Sequence, residues 1–66
     1  MFIAKLTGEA DSHVVSREFE QERAAISWLV GVGLADFEDQ TARGEVWNGN
    51  TLGSELINLS APTIRY

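Results

Sequence analysis

The chain has 66 residues, of which 44% are hydrophobic and 23% are charged, and its net charge at pH 7 is −5. This composition is typical of one small globular domain, and it excludes a disordered chain, which combines low hydrophobicity with high net charge. The absence of cysteine excludes disulfides, thiolate metal sites and cysteine nucleophiles. Ten acidic residues against five basic ones disfavour non-specific binding to nucleic acid or to anionic membranes.

Two short strands are predicted at the start of the chain. Residues 2–7 are mostly apolar and are followed by the turn-forming residues 8–12, which predicts the first strand. Residues 13–19 predict the second strand, with Val15 and Phe19 on one face together with Arg17. The five-residue turn between the two strands favours an antiparallel hairpin.

A helix is predicted over residues 20–34, and its first turn is acidic, as the helix macrodipole favours. Gly31 and Gly33 weaken its final turns. The sequence therefore leaves two alternatives for the end of the helix, which either stops at Val32 or continues to Ala35.

The predicted helix carries more apolar surface than one sheet can cover. At about 100° per residue, its apolar side chains span roughly 200° of the circumference, whereas a helix on one sheet face needs a stripe of about 100° or slightly more. In angular order these side chains are Trp28, Val32, Ala25, Leu29, Ile26 and Val30. We expect the surplus to be covered by a tail of the same chain, by a second copy or by a partner protein.

Residues 36–40 form an acidic connection, in which Phe37 is expected to anchor on the core. Residues 41–47 predict the third strand, with Glu45 and Trp47 on one face.

Asn48 and Gly49 predict a type I′ hairpin turn with positive φ at both residues. The fourth strand is predicted over residues 55–59, with an earlier start near Asn50 as an alternative. A loop over residues 48–54 is the competing interpretation. Ala61 and Pro62 are expected to end the strand, before an amphipathic tail at residues 63–66.

These elements predict a single α+β domain over residues 1–66 with the order β-β-α-β-β. The simplest architecture is a four-stranded, mainly antiparallel sheet with the helix packed across one face. The other sheet face would then lie in water or against a partner.

No metal, cofactor or catalytic motif is expected. Asp36, Glu38 and Asp39 suggest a calcium loop, but Thr41 and Trp47 occupy the positions that require Gly and Glu. A solvated acidic turn is the preferred interpretation, and an acidic patch that docks a basic partner is the functional alternative.

Two further patterns have structural explanations. The Gly31-Val32-Gly33 segment lies at the end of a predicted helix, whereas phosphate-binding loops precede one. His13 lies near Glu9 and Asp11, an arrangement that a general base could use. No Ser or Thr nucleophile is tied to it by a recognisable motif, so a surface histidine is expected.

The residues predicted to contact a partner are Ile26, Val30, Trp47, Arg17 and Arg43. Trp28 is expected in the core, whereas Trp47, next to a hairpin turn, fits a core or an interface position. Arg17 and Arg43 would support nucleic-acid binding if they clustered with aromatic rings on the open sheet face.

The sequence favours a small non-catalytic domain that binds another protein or a second copy of itself. A nucleic-acid-binding domain that uses the open sheet face is the alternative. A continuous basic face would favour nucleic acid, and an apolar or mixed face would favour protein. The first residues do not form a signal peptide, and the longest apolar stretch, residues 28–35, is too short for a membrane span, so we expect a cytoplasmic protein.

Overall fold

The computed structural model describes residues 1–37 and 40–60. The predicted α+β class and the β-β-α-β-β order are confirmed. Glu38 and Asp39 of the acidic connection, and residues 61–66 with the predicted tail, lie outside the described residues. The elements are β1 (Phe2–Gly8), β2 (Val14–Phe19), α1 (Glu22–Val30), a 3₁₀ segment (Val32–Phe37), β3 (Thr41–Asn48) and β4 (Thr51–Ser60).

The four strands form one sheet in the order β2-β1-β3-β4, and all neighbouring strands are antiparallel. The first strand of the chain therefore lies in the middle of the sheet. On one side Leu6 of β1 lies opposite Val15 of β2, and on the other it lies opposite Gly44 of β3. The pairing of β1 with β3 joins the two hairpins into one sheet.

The helix covers the sheet face that carries the small and branched side chains of the central strands. Ala4 and Leu6 of β1 and Ala42 and Val46 of β3 have no exposed surface. A Cβ atom on Gly44 would lie 3.3 Å from a terminal methyl of Leu29 in α1. Because β3 has no side chain at this point, the helix can approach the sheet closely.

The helix is shorter than predicted, since it spans Glu22–Val30 and not residues 20–34. At Gly31 the backbone leaves the helical region, with φ −129° and ψ −104°. The 3₁₀ segment that follows buries Leu34 and Phe37, so the predicted anchoring of Phe37 is confirmed. Leu34 and Phe37 thus join the core through a second, separate element, whereas Val32, which was predicted on the apolar arc, lies outside the helix and is 75% exposed.

The wide apolar arc of the helix is present, and the sheet covers only its middle. Ala25 and Leu29 are fully buried, Ile26 is partly buried, and Val30 is 47% exposed. Trp28 lies at the margin of the core, with its ring centroid 5.9 Å from that of Phe19. Its expected place in the core is therefore only partly correct.

The fourth strand begins at Thr51. The alternative prediction of a start near Asn50 is therefore correct to within one residue, and the competing prediction of a loop over residues 48–54 is wrong. Its register with β3 shifts twice. Between the partners of Ala42 and Gly44, and again between those of Val46 and Trp47, β4 contains one extra residue. These are β-bulges, each of which reverses the alternation of side chains along the strand.

The turn between β3 and β4 differs from the predicted type I′ turn. Asn48 and Thr51 are paired, so Gly49 and Asn50 form the two-residue loop. Gly49 has φ +63°, whereas neither Asn48 nor Asn50 has a positive φ. Positive φ at the first loop residue alone is the pattern of a type II′ turn, which places glycine at that position.

Truncation of the helix should separate its buried centre from its exposed margin. Leu29→Ala should lower the free energy of unfolding by about 2–5 kcal/mol, because it leaves a cavity under the helix. Val30→Ala should change it by no more than about 0.5 kcal/mol, since this side chain is half exposed. Urea denaturation of both variants measures the difference, and equal losses would contradict the described helix orientation.

The turn can be tested in the same way. Gly49→Ala should lower the free energy of unfolding by about 1–2 kcal/mol, because alanine resists positive φ. No atom lies within 4 Å of the added Cβ, so the cost would come from the backbone alone. Asn50→Ala is the matched control and should be close to neutral. If both variants unfold at the wild-type denaturant concentration, the type II′ assignment is wrong.

Candidate interaction surface

The sheet face opposite the helix carries a row of apolar side chains. Ile3 of β1 lies opposite Trp47 of β3, and Trp47 lies opposite Leu52 of β4. Ile3 is 38% exposed and Leu52 is 42% exposed, while Trp47 is partly buried between them. The Trp47 Nε1–H donates a hydrogen bond to Glu45 Oε1 at 3.4 Å. We call Ile3, Trp47 and Leu52 the apolar row.

Leu52 reaches this face because of the bulge in β4. Leu52 and Ser54 are two residues apart and would share one face in a regular strand. In the structure Leu52 is opposite Trp47 and Ser54 is opposite Val46, so the two side chains point to opposite faces. The extra residue between them is Gly53, and a glycine inside a strand is a known signal for a bulge.

The second bulge acts on the helix side. Leu56 and Leu59 are three residues apart, a spacing that would place them on opposite faces of a regular strand. Both pack against the core instead, because the strand takes an extra residue between them and Asn58 adopts φ +57°. Because of the two bulges, β4 contributes leucine side chains to both faces of the sheet.

Charged side chains lie beside the apolar row. In the next row along the sheet, Lys5 lies opposite Glu45, which in turn lies opposite Glu55. Arg43 lies opposite Thr7 in the row beyond, and Glu18 lies opposite Ile3 at the β2 edge. Among the described strand residues, this face therefore has two basic side chains and three acidic ones. It is mixed in charge, and the apolar row lies at one end.

The predicted contact residues do not form one surface. Trp47 and Arg43 lie on the open face, whereas Arg17 lies on the helix side of β2, opposite Ala4. The Arg17 guanidinium carbon is 5.8 Å from the centre of the Phe19 ring. Ile26 and Val30 belong to the helix layer. The cluster of Arg17 and Arg43 that would support nucleic-acid binding is therefore not formed.

The structure adds Ile3 and Leu52 to the surface, which sequence reasoning missed. Ile3 alternates with the buried Ala4, a signal for the opposite face, but its contact with Trp47 depends on the central position of β1. The position of Leu52 depends on the bulge at Gly53.

The loop between β1 and β2 is held by polar contacts. Asp11 Oδ1 accepts hydrogen bonds from the His13 backbone N–H at 2.9 Å and from Gln40 Nε2 at 3.1 Å. Gln40 Oε1 accepts a bond from the Ala10 N–H at 2.9 Å. The His13 ring lies 5.5 Å from the Phe37 ring, centroid to centroid. Asp11 thus contacts the backbone of His13, and the loop shows contacts suited to a structural turn.

Other candidate sites are weaker. No group of three or more His, Asp or Glu residues suited to a metal occurs in the part of the chain that the structure describes. A surface pocket of about 220 Å³ is lined by Thr7, Gly8, Glu9 and Arg43, but the Glu9 carboxylate already accepts a hydrogen bond from the Thr41 hydroxyl at 2.7 Å. None of the described helices has the length and apolar character to cross a membrane.

The hydrogen bonds to Asp11 predict its titration. The His13 N–H, followed by the Gln40 amide, lowers the pKa of the Asp11 carboxyl below its usual value, because both donors favour the charged form. This contribution to stability is present above the pKa of the unfolded chain and is lost as the pH falls through the folded-state pKa. Carboxyl chemical shifts should show the low pKa, and Gln40→Ala should raise it towards the usual value. An unchanged pKa in that variant would show that the amide contact is not formed.

Comparisons with known proteins give no information on the function of this surface. No protein-family model, no curated protein and no solved structure matches the chain. The candidate interaction surface is therefore the apolar row on the open sheet face, with side chains of both charges beside it.

Proposed function

We propose that the protein is a small non-catalytic domain that binds protein through its open sheet face. The observation that supports this proposal is the apolar row of Ile3, Trp47 and Leu52. A sheet face in water normally carries polar side chains, and a contiguous exposed apolar patch is typical of an interaction site. Tryptophan in such a patch is a common centre of binding energy.

The charge of the face favours protein over nucleic acid. Binding of a nucleic-acid backbone needs several basic side chains that neutralise phosphates, and a sheet that binds RNA also needs exposed rings to stack bases. Here Lys5 and Arg43 are accompanied by Glu18, Glu45 and Glu55. A surface with both signs of charge is better suited to a protein partner with complementary charges.

A non-catalytic role agrees with the local contacts of the titratable groups. The His13 ring packs against Phe37, and Asp11 accepts bonds from a backbone N–H and an amide. Neither arrangement provides the base and nucleophile pair that general-base catalysis uses. We also propose a cytoplasmic location, where a chain without cysteine folds without need of an oxidising environment.

Site-specific photocrosslinking tests this proposal. The photoreactive residue p-benzoylphenylalanine is placed at Leu52 in one variant and at Ser27, on the exposed side of the helix, in the control. In cells that naturally produce the protein, the variant labelled at Leu52 should form crosslinks to protein on irradiation, whereas the variant labelled at Ser27 should form several-fold fewer.

The identity of the adducts decides between the candidate functions. Crosslinks to protein from position 52, whether to another protein or to a second copy, support the proposal. Crosslinks to nucleic acid from that position would favour the alternative function instead. Equal yields from the sheet and helix positions would overturn the assignment of the open face.

A further inference from the structure

We propose that the open sheet face pairs with the same face of a second copy, in a dimer whose two-fold axis runs parallel to the strands between β1 and β3. This inference rests on the proposed function, since it names the partner of the same surface. It follows from the cross-strand register of the two central strands, which makes this face complementary to itself.

The symmetry argument is simple. Rotation by 180° about such an axis keeps each residue at its level along the strands and exchanges β1 with β3. A residue of β1 in one copy therefore faces the residue of β3 that is its cross-strand neighbour in the fold. Lys5 and Glu45 are such neighbours. In the dimer Lys5 of each copy faces Glu45 of the other, which gives two ion pairs between the copies.

Most of the apolar side chains on this face also match under the same rotation. Ile3 and Trp47 are also cross-strand neighbours, so each Ile3 faces Trp47 of the other copy. The rotation also places β2 over β4. Val14, which is 48% exposed, lies at the level of Thr7 and Arg43. Ile57, which is 64% exposed, follows Leu56, the partner of Gly44, so it lies close to the level of Val14 and the two side chains meet across the interface. Leu52 is level with Ile3 and therefore faces Glu18 of the other copy at the edge of the interface.

The area of the face indicates a weak dimer. Strands about 4.8 Å apart with a rise of about 3.3 Å per residue give a face of about 19 by 23 Å, or roughly 440 Å² per copy. The total of roughly 900 Å² lies below the range of stable interfaces, about 1,200–2,000 Å², and within that of weak complexes. An axis parallel to the strands leaves the mean strand directions of the two sheets parallel, which lies within the range of about 30° that packed sheets adopt.

Charge reversal tests the register of the dimer directly. Lys5→Glu changes the net charge from −5 to −7, and Glu45→Lys changes it from −5 to −3. Either variant alone places like charges opposite each other in the dimer, so each should associate at least about tenfold more weakly than wild type. In a mixture of the two, residues 5 and 45 again carry opposite charges across the interface.

The equal mixture should therefore form a heterodimer with an affinity within about threefold of that of the wild-type dimer. Sedimentation equilibrium from about ten micromolar to about one millimolar covers the range expected for a weak dimer. Both variants carry a net negative charge, so general electrostatic attraction cannot explain recovery. A mixture that stays monomeric, or a wild-type protein that is monomeric throughout this range, would overturn the proposal.

A matched control uses Glu18→Lys, which has the same net charge of −3 as Glu45→Lys. Glu18 lies at the β2 edge and faces β4 of the second copy, so its mixture with Lys5→Glu should not recover association. Recovery in this control would contradict the proposed register. Thermal unfolding checks that each variant is folded.

If a reversal variant does not fold, Lys5→Gln provides a milder change, and it should weaken association several-fold. Unchanged association would overturn the proposal. The outcomes also separate this inference from the proposed function. Crosslinks from position 52 to a different protein, with no self-association, would remove the dimer and leave the protein-binding role in place.

Discussion

The structure depends on one constraint: a single nine-residue helix has to cover a four-stranded sheet. At 1.5 Å per residue α1 is about 14 Å long, whereas four strands are about 19 Å wide. The helix therefore lies close to the central strands, with Leu29 over Gly44. The 3₁₀ segment adds Leu34 and Phe37 to the same layer. Because this layer lies on one side of the sheet, the opposite face receives no cover from it.

The bulges in the fourth strand shape both the core and the open face. Through its bulges β4 presents Leu56 and Leu59 to the core and Leu52 to the other side. A regular strand with the same sequence would place one of the two core leucines in water. Bulges also disturb the free edge of a strand and so discourage the addition of further strands. The same irregularity that completes the core thus builds the apolar row beside Trp47.

Period-two alternation and turn residues were sufficient to predict the strands, their antiparallel hairpins and the α+β class. The alternation of Val46 with Glu45 and Trp47 correctly put Trp47 on the opposite face from Val46, but it left open which of the two faces the helix covers. The predicted end of the helix was wrong because apolar residues continue beyond Gly31, and this continuation outweighed the signal of the glycine at which the helix ends. The apolar row was not predictable as a unit, since Ile3 meets Trp47 only through long-range pairing of β1 with β3.

The central position of β1 also determines the order in which the sheet can form. Its pairing with β2 closes over a short turn, but its pairing with β3 joins Phe2 to Asn48 across most of the described chain. Contacts so distant in sequence form slowly, because the loop must close before the contacts stabilise it. During synthesis from the N-terminus, one edge of β1 stays unpaired until β3 has emerged from the ribosome. Although β1 precedes the other described strands in the chain, its pairing is thus among the last to be completed.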